Sequence, residues 1–465
     1  MKREHTSRSH VPAVILAAGQ GSRLREESRG IPKPMVKVLG LTLLERALLA
    51  CREAGITEYY VVVGFEKEKV ISHIRTLERR HGLSVHIVEN PDWEEGNGVS
   101  ALATAAHLDD QRPFLLTMCD HIVDPEIFEL VLQSDGDSGV CLLAVDRRVD
   151  WVFDLEDATK VRLDGERIIA IGKDLPTFNG IDTGVFLCRP CLFEGLERAR
   201  SQGEGSLSAG IRQLIPEGKI HAIDIGDRFW IDVDTPESLV HAKRLLLQRL
   251  AKPRGDGFIS RHLNRPISRR ISALLAHTPL TPNAISILSF AIGLLGALLF
   301  TIGTYPTMVL AGLLVQFASI TDGCDGEIAR LKFQASRFGA WFDTLLDRYA
   351  DMFIVGGITY GYWKTHPDAL TWLIGLLAVT GFILYSYTKK EFQVRYGYEL
   401  NEHRLYRIIP GSRDVRLFLV FIGALVGYPF AAIVLTGLLS HLAVWLGFAD
   451  VYLGASARQT SHSGR

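Results

Sequence analysis

Four aspartates stand close together in a part of the chain that is otherwise strongly apolar. Asp322 and Asp325 are three residues apart and Asp343 and Asp347 are four apart, so each pair would lie on one face of a helix. Charges at membrane depth are unfavourable and persist only beside a polar cavity, a partner or an ion. Two facing pairs would form an all-oxygen site for a hard divalent cation, Mg²⁺ or alternatively Mn²⁺. The other interpretations are a proton relay and acids that reach the membrane interface from helix ends.

The aspartates belong to a longer pattern. The run DGCDGEIAR starts at Asp322, and after eight residues the run GAWFDTLLD ends at Asp347. Gly326 and Gly339 leave room beside the carboxylates for a bulky ligand, and Arg330 offers a forked donor for phosphate. The pattern resembles the signature of the CDP-alcohol phosphotransferases over residues 266–453. This resemblance implies metal ligands at Asp322, Asp325, Asp343 and Asp347, and nucleotide contacts at Gly326, Ala329, Arg330 and Gly339.

The first half of the chain contains a second candidate site for phosphate chemistry. An apolar run at residues 11–16 leads directly into AAGQGSRLR, and such a strand, turn and helix present backbone N–H groups to phosphates. In the following run, IPKPMVKVLG, Lys33 stands between two prolines that fix the backbone on both sides of it. We therefore expect Lys33 to neutralise an α-phosphate during nucleophilic attack. The alternative is a surface lysine in a proline-rich loop.

Two further carboxylates in this half are candidate metal ligands. A strand at residues 114–118 would deliver Asp120 and His121 at its carboxyl end, where ligands bind in open parallel sheets. The later run WIDVDTP offers Asp232 as a second carboxylate for the same Mg²⁺. Asp232 could instead cap the next helix, although Asp234 or Thr235 fits that position better. His121 could equally be a bystander.

The alternation of strands and helices, together with LAAGQGSRLR and PKPMVKV, resembles the sugar-phosphate nucleotidyltransferases over residues 11–247. The resemblance implies a Rossmann-like α/β fold in which Lys33 stabilises the transition state while Asp120 and Asp232 hold the metal. It also implies contacts with the nucleotide at Leu16, Ala17, Ala18, Gly19, Gly21, Ser22 and Arg23, the last four of which would hold the triphosphate. Asn97, Gly98 and Ser100 would contact the nucleoside, and Lys173 and Asp182 the phosphorylated acceptor.

The long apolar runs fall almost entirely in the second half, which indicates a soluble half followed by a membrane half. We predict a disordered tail at residues 1–10, a nucleotidyltransferase domain at 11–250, a linker at 251–265, a membrane domain at 266–453 and a disordered tail at 454–465. An all-α membrane domain of about six transmembrane helices is predicted from apolar segments centred near Leu295, Leu314, Ile354, Gly375, Phe421 and Leu435.

The distribution of charge predicts the orientation of this domain. Basic residues cluster at 265–270, 330–337 and 389–416. On the opposite side, the loops near residues 303–306 and 363–368 contain only one Lys or Arg, Lys364. By the positive-inside rule, the protein would be a multi-pass protein of the cell membrane with its soluble domain and both candidate sites on the cytoplasmic side. The formal net charge of −1 argues against nucleic acid as a partner.

Arginines near the predicted membrane surface have two interpretations each. Residues 261–276 indicate an amphipathic helix lying on the membrane, or else a solvated basic face. Arg413 and Arg416 stand where a later helix begins, and they either anchor that helix to lipid headgroups or clamp the phosphate of an acceptor. The cysteine pair Cys188 and Cys191 is an isolated C-R-P-C, so we expect reduced thiols and no zinc site.

The order of the two halves indicates two consecutive reactions. It resembles the bifunctional enzymes that make CDP-inositol from CTP and inositol 1-phosphate and then couple CDP-inositol to a second inositol 1-phosphate. In the second reaction a neutral hydroxyl attacks, so a general base is required, and Asp347 is the candidate. The resemblance also implies a homodimer through the membrane helices, surrounded by lipid.

Two other functions remain open at this point. In the first, the cytidylyltransferase is fused to a phospholipid-forming phosphotransferase that uses another alcohol or a lipid acceptor. In the second, the protein is a membrane-anchored nucleotide sensor or scaffold with inactive sites. The complete set of acids in both halves argues against the second alternative.

Overall fold

The computed structural model describes residues 11–25, 30–109, 112–134, 139–250, 257–400, 406 and 411–462. The predicted tail at residues 1–10 and the first part of the predicted linker, residues 251–256, lie outside this range. Contacts divide the chain into two compact units between Leu246 and Leu247. This boundary falls close to the predicted end of the first domain at residue 250.

The first unit alternates strands and helices. Its strands are β1 (Ala13–Ala17), β2 (Lys37–Val38), β3 (Leu41–Thr42), β4 (Tyr59–Val63), β5 (Val85–Glu89), β6 (Phe114–Met118), β7 (His121–Val123), β8 (Cys141–Asp146), β9 (Lys160–Asp164), β10 (Arg167–Gly172), β11 (Gly180–Cys188), β12 (Ile220–Asp224) and β13 (Trp230–Asp232). Its helices are α1 (Ser22–Arg25), α2 (Leu43–Glu53), α3 (Lys67–His81), α4 (Asn97–Leu102), α5 (Pro125–Gln133), α6 (Cys191–Ser201), α7 (Leu207–Leu214) and α8 (Pro236–Arg249).

Local sequence explains these elements. β1 reads AVILA and β4 reads YYVVV, and every residue of both strands is buried. Continuous apolar runs of this length form strands that are covered on both faces. Helix α2 begins with a capping box between Thr42 and Glu45, and α3 ends at Gly82, whose φ of +64° suits a helix C-terminus.

Nine of the strands form one mixed sheet in the order β5–β4–β1–β6–β11–β8–β12–β10–β9. Strands β5, β4, β1 and β6 run parallel, whereas β11 is antiparallel to both β6 and β8. The predicted Rossmann-like α/β class is therefore confirmed for this unit. Because β1 and β6 are adjacent and parallel, the segments that follow them leave the sheet at the same edge.

A separate two-stranded pairing brings distant residues to that edge. Strands β7 and β13 are antiparallel, and Asp232 is the register partner of His121. Strand β7 follows β6 almost immediately, so the pairing places Asp232 beside the carboxyl end of a central strand. The two predicted metal ligands of the soluble half, Asp120 and Asp232, come together in this way although they are far apart in the sequence.

The second unit is all α-helical, as predicted. After a short π-helical turn at Ser260–Asn264, its helices are α9 (Arg265–Leu275), α10 (Pro282–Phe300), α11 (Tyr305–Leu331), α12 (Arg337–Trp363), α13 (Ala369–Tyr396), α14 (Arg413–Leu425) and α15 (Pro429–His462). Because α15 continues to His462, residues 454–462 are helical where the sequence predicted a disordered tail.

Four of these helices have the length and hydropathy to cross a membrane: α10, α11, α13 and the Pro429–Leu453 part of α15. The predicted number of six spans is therefore not confirmed. Helix α12 has 27 residues, but its apolar part also contains Asp347, Arg348 and Asp351. Helix α14 has 13 residues. At 1.5 Å per residue it is about 20 Å long, which is less than the roughly 30 Å core of a bilayer.

Glycines allow close packing between α10 and α12. A Cβ atom at Gly357 would overlap the carbonyl oxygen of Ala297, and one at Gly361 would overlap that of Phe300. Lipid tails are as apolar as leucine side chains, so association of helices in a bilayer depends on such close contact. These two glycines form a glycine seam that fixes α12 against α10.

A buried glutamate ties α9 to α11. Glu327 is fully buried, and its Oε1 accepts hydrogen bonds from Arg265 Nη1 at 2.9 Å and from Ser268 Oγ at 2.7 Å. Its Oε2 accepts from Ser272 Oγ at 2.7 Å. The helix predicted to present arginines to the membrane surface therefore directs Arg265 into the protein, while Arg270 stays exposed.

Two candidate active sites

The carboxyl end of β6 carries the first candidate site. Asp120 Oδ1 lies 2.9 Å and Asp232 Oδ1 lies 3.9 Å from Nδ1 of His121. Potential ligand atoms of these three residues lie within 4.8 Å of one another. Asp232 Oδ1 is buried and has no hydrogen-bond partner among the described residues. Since a buried carboxylate oxygen is unfavourable without a partner, this arrangement fits a metal ion.

Lys33 lies beside these carboxylates and is not a surface lysine. Its side chain is 7 % exposed, and its Nζ lies 2.5 Å from Asp120 Oδ2 and also contacts Asp234 Oδ1. Burial alone would lower the pKa of Lys33, but Asp120, Asp232 and Asp234 hold this pKa above its ordinary value. For Asp120 the effects have the opposite sign: burial alone would raise its pKa, but the positive charge of Lys33 has the larger effect and lowers it. Lys33 is therefore a fixed cation at neutral pH.

Other titratable groups of the first site also have shifted pKa values. Burial raises the pKa of Asp182 to about 6, although the N–H of Gly184 donates to its Oδ1 at 2.7 Å and opposes the shift. Burial raises the pKa of Asp232 to about 6 as well. Burial would lower the pKa of His121, but Asp232 and Asp120 raise it to about 9. Of these three groups, Asp182 and Asp232 therefore have the pKa values closest to neutral pH. Asp182 is the one predicted to contact the acceptor.

The glycine-rich turn after β1 lines a cavity of about 270 Å³ next to Lys33. Gly21 has a φ of +61°, and a Cβ atom there would lie 2.6 Å from Lys33 Cβ. Only glycine lets the turn pass so close to the lysine without strain. The lining includes six of the seven residues of this segment predicted to contact the nucleotide, namely Leu16, Ala17, Gly19, Gly21, Ser22 and Arg23; the seventh, Ala18, is buried in the core.

A single carboxylate links the predicted triphosphate and acceptor residues. Asp157 Oδ2 lies 2.8 Å from Arg23 Nη2, and its Oδ1 lies 2.6 Å from Lys173 Nζ. Arg23 also contacts Asp234 Oδ2 at 2.9 Å. The two basic side chains are thus brought to one end of the site from distant parts of the chain.

The residues predicted to contact the nucleoside make structural contacts instead of lining this cavity. Asn97 Oδ1 accepts a hydrogen bond from the N–H of Leu207 at 2.8 Å. A Cβ atom at Gly98 would lie 2.7 Å from the carbonyl oxygen of Gly205. Ser100 Oγ accepts from Asn90 Nδ2 at 3.0 Å. Their contact with the nucleoside stays a prediction.

The second candidate site lies between α11 and α12. One oxygen from each of Asp322, Asp343 and Asp347 lies within 4.8 Å of the others. Asp325 lies beside Asp343, with which it shares a hydrogen bond, and its Oδ2 also accepts a short hydrogen bond from Ser286 Oγ of α10. Three carboxylates at this separation repel one another unless a cation lies among them, and their all-oxygen donor set fits a hard divalent ion.

The remaining motif residues border the same helix ends. A Cβ atom at Gly326 would meet only Arg330 Nη1, at 3.4 Å, so the space beside this glycine is open. Arg330 Nη2 donates to the carbonyl oxygen of Leu250 at 2.9 Å. At Gly339 a Cβ atom would lie 3.0 Å from Ser336 Oγ. Ala329 is half-buried. Their predicted contacts with nucleotide stay predictions.

Arg413 and Arg416, for which the sequence allows the same two interpretations, have different surroundings. Arg413 Nη1 lies 2.6 Å from Asp347 Oδ1 and 3.1 Å from Asp322 Oδ2. Arg416 is 1 % exposed, and its Nη1 donates to the carbonyl oxygen of Phe382 at 3.1 Å. Because protein encloses the guanidinium of Arg416, these contacts support neither substrate binding nor anchoring to headgroups, and both stay predictions.

Two aspartates that the sequence did not assign to a site take part in these contacts. The sequence pattern places Asp234 at a helix cap, but Thr235 Oγ1 accepts from the N–H of Ser238 at 3.1 Å and forms that cap. Asp234 is free to contact Lys33 for this reason. The other is Asp351, which is buried beside Arg413. Its four-residue distance from Asp347 continues the spacing of the motif and is the signal that could have revealed it.

Comparison with known proteins identifies both halves. Residues 13–267 match the MobA-like NTP transferase domain, and residues 279–455 match the CDP-alcohol phosphatidyltransferases. The chain is 41 % identical to the bifunctional IPC transferase and DIPP synthase of Rubrobacter xylanophilus, over 94 % of this chain and 95 % of that protein. It is 34 % identical to the protein of the same name from Archaeoglobus fulgidus, over 88 % of this chain and 77 % of that protein. It is also similar to a solved inositol-1-phosphate CTP transferase from T. maritima, with 26 % identity and a TM-score of 0.46 over 50 % of this chain and 94 % of that one.

The fold and the two sites define a two-domain transferase, and the matches confirm both resemblances predicted from the motifs. The chain belongs to the family of bifunctional IPC transferases and DIPP synthases. It is an enzyme with nucleotidyltransferase and phosphotransferase activities, and its four apolar helices and second domain make it a membrane protein. Both domain families use divalent metals, and each unit has an acidic cluster that fits one.

Proposed function

We propose that the protein makes a phosphodiester of two inositol phosphates in two steps. The first unit joins CTP to inositol 1-phosphate and releases pyrophosphate, and the second unit transfers the inositol phosphate of CDP-inositol to a second inositol 1-phosphate and releases CMP. The product is di-myo-inositol phosphate phosphate. The observation that carries this proposal is 41 % identity over 94 % of the chain to a relative named for both activities, with acids clustered in both units.

In the first step, an oxygen of inositol 1-phosphate attacks the α-phosphorus of CTP. A phosphate is already ionised at neutral pH, so this step needs no general base. The bond between the α-phosphorus and the bridging oxygen breaks, and pyrophosphate leaves. The buried cation of Lys33 lies beside the cavity and offsets the negative charge that builds up on the α-phosphate.

We assign Mg²⁺ to both sites. Asp120 and Asp232 would hold it in the first unit, and Asp322, Asp325 and Asp343 together with Asp347 would hold it in the second. When bound, a divalent ion neutralises phosphate oxygens and orients the pyrophosphate group. Asp325 lies beside Asp343 and Ser286, so its carboxylate could join the other three in holding the ion.

In the second step, a hydroxyl of the second inositol 1-phosphate attacks the β-phosphorus of CDP-inositol. The hydroxyl must lose its proton, and Asp347 is the base that we assign to this task. The bond from the β-phosphorus to the bridging oxygen breaks, and CMP leaves. Arg413 lies 2.6 Å from this carboxylate. If the arginine binds the phosphate of the acceptor, the inositol ring of that acceptor therefore lies close to the base.

We further propose that the protein is a multi-pass protein of the cell membrane, with the soluble unit and both active sites on the cytoplasmic side. This orientation follows from the predicted six spans, for which the basic clusters at residues 265–270, 330–337 and 389–416 would share one side. Exposed apolar side chains along these helices fit contact with lipid and with a second copy in a homodimer. CTP, inositol 1-phosphate and CDP-inositol are all water-soluble and would reach both sites from the cytoplasm.

The pKa of Asp182 predicts a pH dependence for the first step. The ionised Asp182 carboxylate accepts a stronger hydrogen bond from a hydroxyl of inositol than the protonated carboxyl group does, and its pKa of about 6 means that it becomes protonated below that pH. We expect the KM for inositol 1-phosphate to rise as the pH falls from 7 to 5, by up to about tenfold per pH unit below 6. Steady-state pyrophosphate release checks this.

The variant Asp182→Asn is the control for this prediction. Its KM should be higher at pH 7 and should follow only the titration of the substrate phosphate. The ratio of the KM of Asp182→Asn to the KM of the wild type would then approach one at pH 5. A ratio that stays constant between pH 5 and 7 would contradict a role for the Asp182 carboxylate.

The proposed function is tested with full-length protein in detergent, given CTP, Mg²⁺ and inositol 1-phosphate and followed by ³¹P NMR. We expect pyrophosphate first, then CMP and a phosphodiester signal in the aqueous phase. A labelled product that partitions into organic solvent when lipid is added would favour the phospholipid-forming alternative. Absence of pyrophosphate with inositol 1-phosphate and with other phosphorylated alcohols would leave only a sensor or scaffold.

A further inference from the structure

A buried carboxylate outside the phosphotransferase motif organises the arginines of the second site. Asp351 of α12 lies one helical turn beyond Asp347 and is 1 % exposed. Its Oδ1 lies 3.1 Å from Arg413 Nε. Its Oδ2 lies 3.3 Å from Arg416 Nη2 and 3.4 Å from Arg348 Nη1. One aspartate therefore binds three guanidinium groups from two helices.

Two of these arginines are held within the protein. Arg416 stacks on Phe382, with its Cζ 4.3 Å from the ring centre, and donates to the carbonyl oxygen of the same residue. Arg348 donates a short hydrogen bond to Ser386 Oγ of α13 and lies 3.4 Å from Asp347 Oδ2. Since both have protein partners around them, they support Asp351 and do not compete for a ligand.

Two of the three guanidinium nitrogens of Arg413 have protein partners. Nε contacts Asp351, and Nη1 contacts Asp347 and Asp322. The side chain is 20 % exposed, and no described residue accepts a hydrogen bond from Nη2. Arg413 borders the same small cavity as Asp322 and Asp347, and Asp351 does not. Nη2 therefore keeps N–H donors for an anionic ligand such as phosphate.

Asp351 is needed for this geometry on electrostatic grounds. Without it, Arg416 would be an enclosed cation with no carboxylate partner, which is strongly unfavourable. Arg413 would keep Asp347 and Asp322 as partners and would turn its guanidinium toward them, because Nε would have lost its acceptor. Nη2 would then no longer be presented to the cavity in a fixed direction.

We propose that Asp351 is a positioning residue for the second reaction: by fixing Nε of Arg413, it directs Nη2 of that guanidinium at the phosphate of the acceptor. The proposal rests on the proposed function, in which the acceptor carries a phosphate. Asp351 touches none of the four motif aspartates directly and reaches Asp322 and Asp347 only through Arg413 and Arg348, so we expect it to affect acceptor binding more strongly than donor binding. A purely structural ion pair would not distinguish between the two substrates.

The test uses full-length protein in detergent, with CDP-inositol as donor and inositol 1-phosphate as acceptor, and measures CMP release. For Asp351→Asn we expect the KM for inositol 1-phosphate to rise by about tenfold to a hundredfold, as for the loss of one charged hydrogen bond. The KM for CDP-inositol should change less than about twofold.

Two matched variants separate positioning from folding. Asp351→Glu keeps the charge with a longer side chain, and its KM for the acceptor should lie between those of wild type and Asp351→Asn. Glu327→Gln breaks the other buried ion pair of this unit, with Arg265, and should lower the melting temperature without changing the acceptor KM. If Asp351→Asn does not fold, Asp351→Glu decides the question alone.

The outcomes are distinct from those that test the proposed function. A wild-type protein that forms no phosphodiester from this substrate pair contradicts the proposed function. A wild-type protein that is active, with folded Asp351 variants whose two KM values are unchanged or rise equally, contradicts the positioning role. An acceptor KM that rises alone, in the order wild type, glutamate, asparagine, supports it.

Discussion

Replacing Asp347 with asparagine should stop the second reaction and leave the first intact. The amide has nearly the same shape as the carboxylate, but it cannot take the proton of the attacking hydroxyl. Loss of a general base lowers rates by about 10²–10⁴-fold. With CTP and inositol 1-phosphate we therefore expect pyrophosphate at the wild-type rate and accumulation of CDP-inositol, both measured by ³¹P NMR.

The structure gives this experiment an internal control, because both reactions are measured on one chain. Arg413 keeps Asp322 and Asp351 as partners in the variant, so the membrane unit should retain its melting temperature. Normal pyrophosphate release shows in addition that the soluble unit is folded. Release of CMP at more than about a tenth of the wild-type rate would mean that the proton leaves by another route.

Replacing Lys33 with methionine should have the opposite effect. The side chain keeps its length but loses the cation that lies 2.5 Å from Asp120 Oδ2. Removal of one group that stabilises charge in the transition state lowers kcat by about 10²–10³-fold. Pyrophosphate release should fall by this amount, while CDP-inositol supplied from outside should still be converted to the phosphodiester.

Folding must be checked in this variant, since Asp120 and Asp234 lose a buried partner. Breaking such a contact destabilises a protein by about 3–5 kcal/mol. Lys33→Arg is the matched control because it keeps the charge, and it should melt close to wild type while recovering part of the rate. A folded Lys33→Met protein with normal pyrophosphate release would exclude the assigned role of Lys33.

Local patterns of sequence predicted much of the fold. Strand β6 was predicted at residues 114–118, where the structure has it, because an apolar run of five residues between polar segments has few other interpretations. The carboxylates of the second site could be expected to meet because the spacing of three or four residues places them on one helix face. In both cases the determining interactions lie within a short segment.

The number of membrane spans depends on more than hydropathy along the chain. The apolar segment near Ile354 belongs to a helix that also carries Asp347, Arg348 and Asp351. The segment near Phe421 belongs to a helix of 13 residues, which starts only at Arg413. Length and charge together therefore exclude these two helices from the four candidate spans.

Contacts between side chains that are far apart in the sequence could not be predicted for either site. Asp234 and Thr235 are adjacent and both can cap a helix, and only the folded structure shows that Thr235 caps while Asp234 meets Lys33. Similarly, Arg413 and Arg416 differ by less than one turn of the same helix. One faces the carboxylates, and the other is enclosed by Phe382 and Asp351, which depends on how the helices pack.

The glycine seam between α10 and α12 bears on how this enzyme could acquire a new acceptor. Gly357 and Gly361 leave no space for even one methyl group, and they lie well over two turns along α12 from Asp347. Substitutions there would move the whole helix and with it the base. The start of α14, by contrast, borders the cavity with two side chains, Arg413 and Leu417. A change of substrate is therefore more accessible at that helix end than at Gly357 or Gly361 of α12.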